Sequence, residues 1–344
     1  MTNNKYFKKK ITLLNVIMTI MIVVLHSKTP ERYGYVFDLE YPFMYIVCKF
    51  TQIAVPMFFF LSSILFYRTC KFCDIKTKLL SRIKTLLIPY LMWNSMFVLI
   101  FYILLHIPIL HNKMNMGEAL NTWQEIVRAI VLSKFSVLWF VRNLIIYSVF
   151  APIIFMLAKN KYMSILVFCC LTIVAFIGNY EYESLMLWLP IYFMGAIIGT
   201  HFSGSKDNDT YFNWGSMLNS KSGIILLILL IIIYLIAIFD DTALFIYRIF
   251  GPMFIWVLLD VFFKKYIDDN FKVRKWMSYT FFIFCMHHFF LNILQKIIVL
   301  NLPPSSLVLN LTFIISPIII ISLLIVIANF IHKSSIYKIM CGNR

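Results

Sequence analysis

Three histidines stand inside or at the end of long apolar segments of this sequence. His26 follows the apolar run ITLLNVIMTIMIVVL, and the adjacent pair His287 and His288 interrupts FFIFCMHHFF. An ionisable side chain at membrane depth costs several kcal/mol unless it is paired or faces water, so each is a functional hypothesis. A neutral imidazole titrates near neutral pH and can act as a general base. Because His287 and His288 are consecutive in a helix, they point about 100° apart. We therefore expect at least one of them to be structural.

Four cations also lie within apolar segments: Lys49, Arg142, Arg248 and Lys296. Three intramembrane cations with no acidic residue expected at the same depth suggest a cavity for an anionic group, such as a phosphate or a thioester-linked cofactor. Simpler roles stay open for each of them. Lys296 can extend to the membrane interface, Arg142 can anchor a helix end, and Arg248 can form a structural pair.

The composition of the chain indicates which structural elements position these histidines and cations. The chain has 344 residues, is 61% hydrophobic and 13% charged, and has a mean hydropathy of +0.85. A soluble domain of this size cannot hide so much apolar surface, but a bilayer can when the apolar residues come in runs of about 20. The sequence predicts an all-α polytopic membrane protein, a single integral membrane domain over residues 1–344 whose first helix is retained. It has about ten helices, at 11–27, 43–67, 85–107, 137–158, 162–179, 184–200, 222–239, 243–263, 277–299 and 306–331.

Loop charge predicts the orientation. With the N-terminus inside, the inner segments carry 22 Lys and Arg and the outer segments carry 5, with the four intrahelical cations left over from the total of 31. Cytoplasmic loops are enriched in Lys and Arg, so both termini are expected in the cytoplasm and His26 near the outer face. The net charge of +16 is spread over short clusters rather than one patch, which argues for a membrane-lipid partner and against nucleic acid.

Two further sequence features lie on the side of the membrane predicted to face the cytoplasm, or lead from it toward His26. Asn15 lies eleven residues before His26, about three helical turns, so the two share a face that could line a passage; Asn15 could equally make a packing contact. The loop before the third helix carries six basic residues and could bind anionic lipid headgroups or a phosphate-bearing ligand such as coenzyme A. Cys70 and Cys73 form a CxxC without further ligands, so two free thiols are expected there and no metal site.

Several segments together resemble the bacterial membrane acyltransferases of acyltransferase family three, which includes polysaccharide O-acetyltransferases. The similar strings are VVLHS, VPMFFFLSSILFYR, SRIKTLLIPYLMWN, LWFVRNLIIY, YFMGAIIG and FFIFCMHHFF. Their order and spacing extend over the whole chain. The chain departs from the family pattern at Asn15, where the family usually has Arg or Lys, and at Ser62 and Ser63, where it usually has Ser-Gly.

The resemblance implies an O-acyltransferase of the bacterial inner membrane. Its donor would be cytoplasmic acyl-CoA, acetyl-CoA by family frequency, and its acceptor a hydroxyl of a cell-envelope glycan. It implies His26 as the essential histidine, Arg142 as the fourth-helix arginine, and the region of Arg82 and Lys84 as the coenzyme-binding motif.

The mechanism expected from these roles divides the site residues into groups. His26 would activate the acceptor hydroxyl. Arg142, with Arg248 or Lys49, would stabilise the oxyanion or bind the acceptor, and His287 and His288 are further candidates for that role. The adenosine-phosphate end of the coenzyme would contact Arg82 and Lys84, with its pantetheine arm passing the Asn15 face. Two other classes stay open: a transporter or flippase of glycan or lipid intermediates, and a catalytically inactive acceptor-binding homologue.

Overall fold

The computed structural model describes residues 2–68, 70–106, 120–201 and 218–342, with side chains from Lys5 onward. Helices make up the regular structure of these ranges, and no strand occurs in them. In chain order the α-helices are α1 (Thr2–Leu25), α2 (Pro42–Thr51), α3 (Ala54–Tyr67), α4 (Ile75–Arg82), α5 (Ile88–Leu105), α6 (Trp123–Leu132), α7 (Trp139–Val149), α8 (Ala151–Lys159), α9 (Lys161–Ile177), α10 (Leu185–His201), α11 (Ser220–Ala237), α12 (Asp241–Phe262), α13 (Lys264–Asp269), α14 (Thr280–Asn301), α15 (Ser306–Ile331) and α16 (Ser335–Met340).

The all-helical prediction is confirmed for the described residues, whereas the count of ten spans stays a prediction. Within the described ranges, seven helical segments are long and apolar enough to cross a membrane, or eight if α7 and α8 count as one broken span. The remaining two predicted spans correspond to α9 and α10, which are apolar but have only 17 residues each. One element was not expected: α6 forms within the segment predicted as a loop over 108–136. The Thr122 hydroxyl and the Glu125 carboxylate cap its start reciprocally.

The chain folds into two compact units. The first contains residues Met1–Ile75 and Ala151–Ile325, and the second contains Lys76–Phe150 and Val326–Arg344. The boundaries between the two units therefore fall within α4, between α7 and α8, and within α15. The expectation of a single domain over 1–344 stays a prediction.

In the first unit, α1 packs against α2, α3, α13 and α14. A buried ion pair fixes its N-terminal half: Lys10 Nζ lies 2.7 Å from Asp260 Oδ1 in α12, and both side chains are 0% exposed. The same ammonium donates to the Trp256 carbonyl oxygen at 2.7 Å and lies 3.5 Å from the centre of the Trp256 ring. Tyr6 also donates to Asp260 Oδ1. Lys10, counted by sequence as a charge of the cytoplasmic tail, is instead part of the packed interior.

A second contact in this unit depends on two glycines. Gly195 and Gly199 stand one turn apart on α10 and face α3. A Cβ at Gly195 would lie 2.6 Å from the Phe60 carbonyl oxygen, and one at Gly199 would lie 3.1 Å from the Ile64 carbonyl oxygen. Small residues four apart let two helix backbones approach closely, which is the usual basis of helix packing in membranes. By contrast, α11 leaves nearly all of its span unburied, as expected for a lipid-facing helix.

The second unit is held together by side chains of α5. The Trp93 indole donates to the Met340 carbonyl oxygen in α16 at 2.8 Å, and the Tyr90 hydroxyl donates to the Val131 carbonyl oxygen in α6 at 2.6 Å. Ser136 donates to Asn94 Oδ1 at 2.7 Å. A turn of π-helix, Ile83–Leu87, precedes α5, so the predicted coenzyme contact Lys84 lies in a local irregularity of the helix.

We expect Lys10→Met to destabilise the protein by about 3–5 kcal/mol, because it leaves the Asp260 carboxylate buried without its counter-charge. The double variant Lys10→Met/Asp260→Leu should recover much of this loss. Thermal unfolding of the purified protein in detergent measures both, with Lys8→Met, at an exposed position of the same helix, as the matched control. Equal melting temperatures for Lys10→Met and Lys8→Met would contradict the role of the ion pair.

We expect Gly195→Leu to separate α10 from α3, because its side chain would occupy the position of the Phe60 carbonyl. Cysteine cross-linking between α3 and α10 in membranes should fail in this variant. Thr200→Leu, on the same helix, is the control, because the Thr200 hydroxyl bonds to carbonyls of its own helix. Efficient cross-linking in Gly195→Leu would show that the close approach is not required.

Candidate active site

The three histidines of the sequence meet in the first unit. His26 follows the last residue of α1 and continues its hydrogen bonding through the Ile22 carbonyl. Its ring centre lies 5.2 Å from that of His287 and 5.2 Å from that of His288, both on α14. Both rings therefore flank His26, and the expectation that at least one of the two histidines is structural stays a prediction. A 100° separation still allows both rings to flank a third ring that approaches between them.

The hydrogen bonds of His287 fix which of its nitrogens carries the proton. Its Nδ1 lies 2.7 Å from the Phe284 carbonyl oxygen, and because a carbonyl only accepts, Nδ1 must be the donor. In the neutral ring Nε2 then carries the lone pair. This nitrogen is buried and has no hydrogen-bond partner among the described residues. His287 thus holds an unused proton acceptor beside His26.

His288 has the opposite tautomer, set by a chain of side chains. Arg32 donates through Nε to Gln295 Oε1 at 2.9 Å and through Nη2 to Asn292 Oδ1. Since an arginine only donates, the oxygen of each amide must face it. Asn292 Nδ2 is then the group 3.3 Å from His288 Nδ1, and it donates to that nitrogen. His288 Nε2 therefore carries the hydrogen in the neutral ring and is available as a donor.

The same chain leaves one amide group unused. Because Gln295 Oε1 accepts from Arg32, the Nε2 group of Gln295 is a donor. It is buried and has no hydrogen-bond partner among the described residues. Buried polar groups in native structures are nearly always paired, so such a group calls for an explanation, such as a water molecule or a ligand. Gln295 and His287, both on α14, each have one such buried and unpaired polar group.

No metal site explains the cluster. The described residues contain no group of three or more His, Cys, Asp or Glu side chains arranged to hold a metal ion. The cluster contains one acceptor, His287 Nε2, and one donor, His288 Nε2–H, each on a ring whose centre lies 5.2 Å from that of His26.

A family model described as an acyltransferase domain, that of acyltransferase family 3, matches residues 9–328. The chain belongs to acyltransferase family 3. It is thus a multi-pass membrane acyltransferase, as its apolar helices and its sequence resemblance predicted. Among curated proteins and solved structures, none matches the chain.

In this acyltransferase the two other cations predicted for the site in the first unit, Arg248 and Lys49, each contact partners of their own. Arg248 on α12 donates to Gln52 Oε1 at 2.9 Å, and its guanidinium lies 5.2 Å from the centre of the Tyr182 ring. Burial raises the pKa of the Tyr182 phenol, and the positive charge of Arg248 opposes this shift. Lys49 lies 3.3 Å from Asp241 Oδ1, so the expectation of no acidic partner at its depth is wrong for Lys49.

The remaining predicted residues are placed as follows. Asn15 is half-buried on α1, and its carbonyl oxygen accepts from the Thr19 hydroxyl. Arg142, Arg82 and Lys84 belong to the second unit. Arg142 is half-buried and lies 3.4 Å from both Asn143 Oδ1 and the Leu132 carbonyl oxygen, while Arg82 is half-buried and Lys84 is exposed. Their predicted catalytic and coenzyme-binding roles stay predictions.

Sequence analysis missed the role of Arg32, Asn292 and Gln295. From the sequence, Arg32 is only a loop charge, but in the structure it lies in a short 3-10 turn, Pro30–Tyr33, that follows α1. Asn292 and Gln295 follow His288 at four and seven residues, which is the spacing of one helix face. A search for polar residues on the face of His288 would have found both.

Proposed function

We propose that this acyltransferase transfers an acyl group, acetyl in the first instance, from cytoplasmic acyl-CoA to a hydroxyl of a cell-envelope glycan. The observation that carries the proposal is the histidine cluster, in which His26 lies between the lone pair of His287 and the N–H of His288. Acyl transfer to a hydroxyl needs a proton acceptor and a donor for the oxyanion, and this cluster contains both.

In the proposed reaction His26 takes the proton of the acceptor hydroxyl while its oxygen forms a bond to the thioester carbonyl carbon. His288 Nε2–H donates to the oxyanion that develops on the carbonyl oxygen. The C–S bond then breaks, and His26 returns the proton to the departing sulfur, so that the ester and the free thiol are the products. The proton count balances without any further reactant.

In this proposal His287 supports the step as the acceptor for a hydrogen bond that His26 donates once it is protonated. Once His26 is protonated, both of its nitrogens are donors. The Nε2 lone pair of His287 is not used by any other described group, so it is free to stabilise the imidazolium. His287 is on this account a positioning residue rather than the base.

The donor side of the proposal rests on the loop charges. The cytoplasmic N-terminus proposed from the distribution of Lys and Arg puts the basic residues of α4 inside and His26 near the outer face of a bacterial inner membrane. Arg82 and the exposed Lys84 suit the phosphates of acyl-CoA. The half-buried Asn15 lies on α1 between the inner end of that helix and His26, along the path proposed for the pantetheine arm.

We expect His26→Ala to abolish acylation while the protein still inserts into the membrane, because the variant lacks the base that takes the hydroxyl proton in the proposed reaction. Mass spectrometry of envelope glycans from cells that produce each variant measures the product, and consumption of acetyl-CoA by purified protein measures the donor half-reaction. His106→Ala, at an exposed position of the second unit, is the control. Wild-type acylation by His26→Ala would contradict the assignment. No acetyl-CoA consumption by the wild type with any acceptor would favour a transporter or an inactive homologue.

We expect His287→Phe to lower kcat by about 10²-fold or more with little change in KM, because it keeps a buried ring but removes the acceptor for protonated His26. His287→Gln, which can present an amide oxygen, should recover part of the rate. Steady-state kinetics with acetyl-CoA distinguishes the two. Equal rates for Phe and Gln variants would indicate that His287 only fills space.

A further inference from the structure

We propose that Arg32 forms an anion-binding subsite, and that the glycan accepted by this enzyme carries a carboxylate or phosphate beyond the hydroxyl that is acylated. This inference rests on the proposed function and adds the chemical class of the acceptor. It starts from the polar face of α14 that carries His288, Asn292 and Gln295.

The first observation is the state of the Arg32 guanidinium. It contacts two neutral amide oxygens, and none of the ion pairs formed by the described residues includes it. Its neighbour Glu31 forms its ion pair with Lys28, although its charge also acts on Arg32. The two amides hold the guanidinium in place, and because Arg32 is exposed, its positive charge is accessible to a ligand. A planar fork of N–H donors suits carboxylate and phosphate groups.

The second observation is the unused amide of Gln295. Its Nε2 group is buried, with 0% of the side chain exposed, and has no hydrogen-bond partner among the described residues. This donor belongs to the residue whose oxygen holds Arg32 Nε. Two kinds of donor, one charged and one neutral, therefore occur at one place. An anion can accept from both, whereas a cation cannot.

The third observation is the distance from the histidines. The two amides that hold Arg32 belong to Asn292 and Gln295. They follow His288 by four and seven residues on one face of α14, about 6 and 10 Å along the helix at 1.5 Å per residue. An anion bound at Arg32 therefore lies one to two sugar units from a hydroxyl at His26. The acceptor that fits is a glycan of at least two residues with a negatively charged group, rather than a small neutral alcohol.

Two matched disaccharides test this directly. Cellobiose and its glucuronosyl counterpart differ in one CH₂OH group that is replaced by a carboxylate. We expect the purified wild-type protein, in nanodiscs of phosphatidylcholine and without acyl donor, to bind the charged disaccharide about tenfold more tightly, as a charge-assisted bond predicts. Arg32→Gln should bring the two dissociation constants to within about threefold. Lys296→Gln, at an exposed cation of α14, should leave the preference intact.

The other outcomes each decide against the proposal. Equal binding of both sugars, no binding of either at millimolar concentration, or a preference that survives Arg32→Gln would overturn it. If phosphatidylglycerol in the nanodisc binds in an Arg32-dependent way while the sugars are not distinguished, the anion is a lipid headgroup and the proposal also fails. Should Arg32→Gln not fold, Arg32→Lys, which keeps the charge but loses the fork, should show a reduced preference; an undiminished one would contradict the role of the fork.

These measurements need no acyl transfer. Loss of the Arg32-dependent preference and failure of the His26 assignment are therefore distinguishable. A protein that prefers the charged sugar but never consumes acetyl-CoA would contradict the proposed function and leave the subsite standing.

Discussion

The ion pair between Lys10 and Asp260 constrains the position of α1, and the candidate site depends on that position. Both side chains are fully buried, and a buried charge without its partner costs several kcal/mol. The helix therefore cannot slide or rotate past α12 without breaking the pair. His26 lies sixteen residues further along the chain, about 24 Å at 1.5 Å per residue. A pairing at one end of α1 thus determines where the imidazole stands at the other end.

At the His26 end of α1, the polar side chains form a chain of hydrogen bonds rather than separate pairs. Arg32 orients two amides, one amide orients His288, and a backbone carbonyl orients His287. The two adjacent histidines consequently differ in tautomer although they share a helix and a surrounding. This difference is what makes one ring an acceptor and the other a donor. It arises from the backbone and side-chain partners, not from the residue type.

Much of the fold could be predicted because the membrane imposes it. Long apolar runs must be helices in a bilayer, so every predicted span is helical among the described residues, and the family followed from the order of short strings. The breaks and lengths of the individual helices are less constrained by the sequence. Length and hydropathy do not show that α7 and α8 are separated by a break after Val149, or that α9 and α10 have only 17 residues each.

The site was predicted in part, for a related reason. His26, His287 and His288 are conspicuous because a membrane makes ionisable groups costly. Arg32, in contrast, stands in a loop where a cation needs no explanation, and Gln295 carries no charge. Only the contact between them shows that the arginine is held by amides and that the amide nitrogen of Gln295 is left unpaired. The role of such a residue depends on a partner that is distant in sequence, so it can be recognised only when the two are seen in contact. For this reason the sequence pointed to the histidines, whereas Arg32 and Gln295 emerged only from the structure.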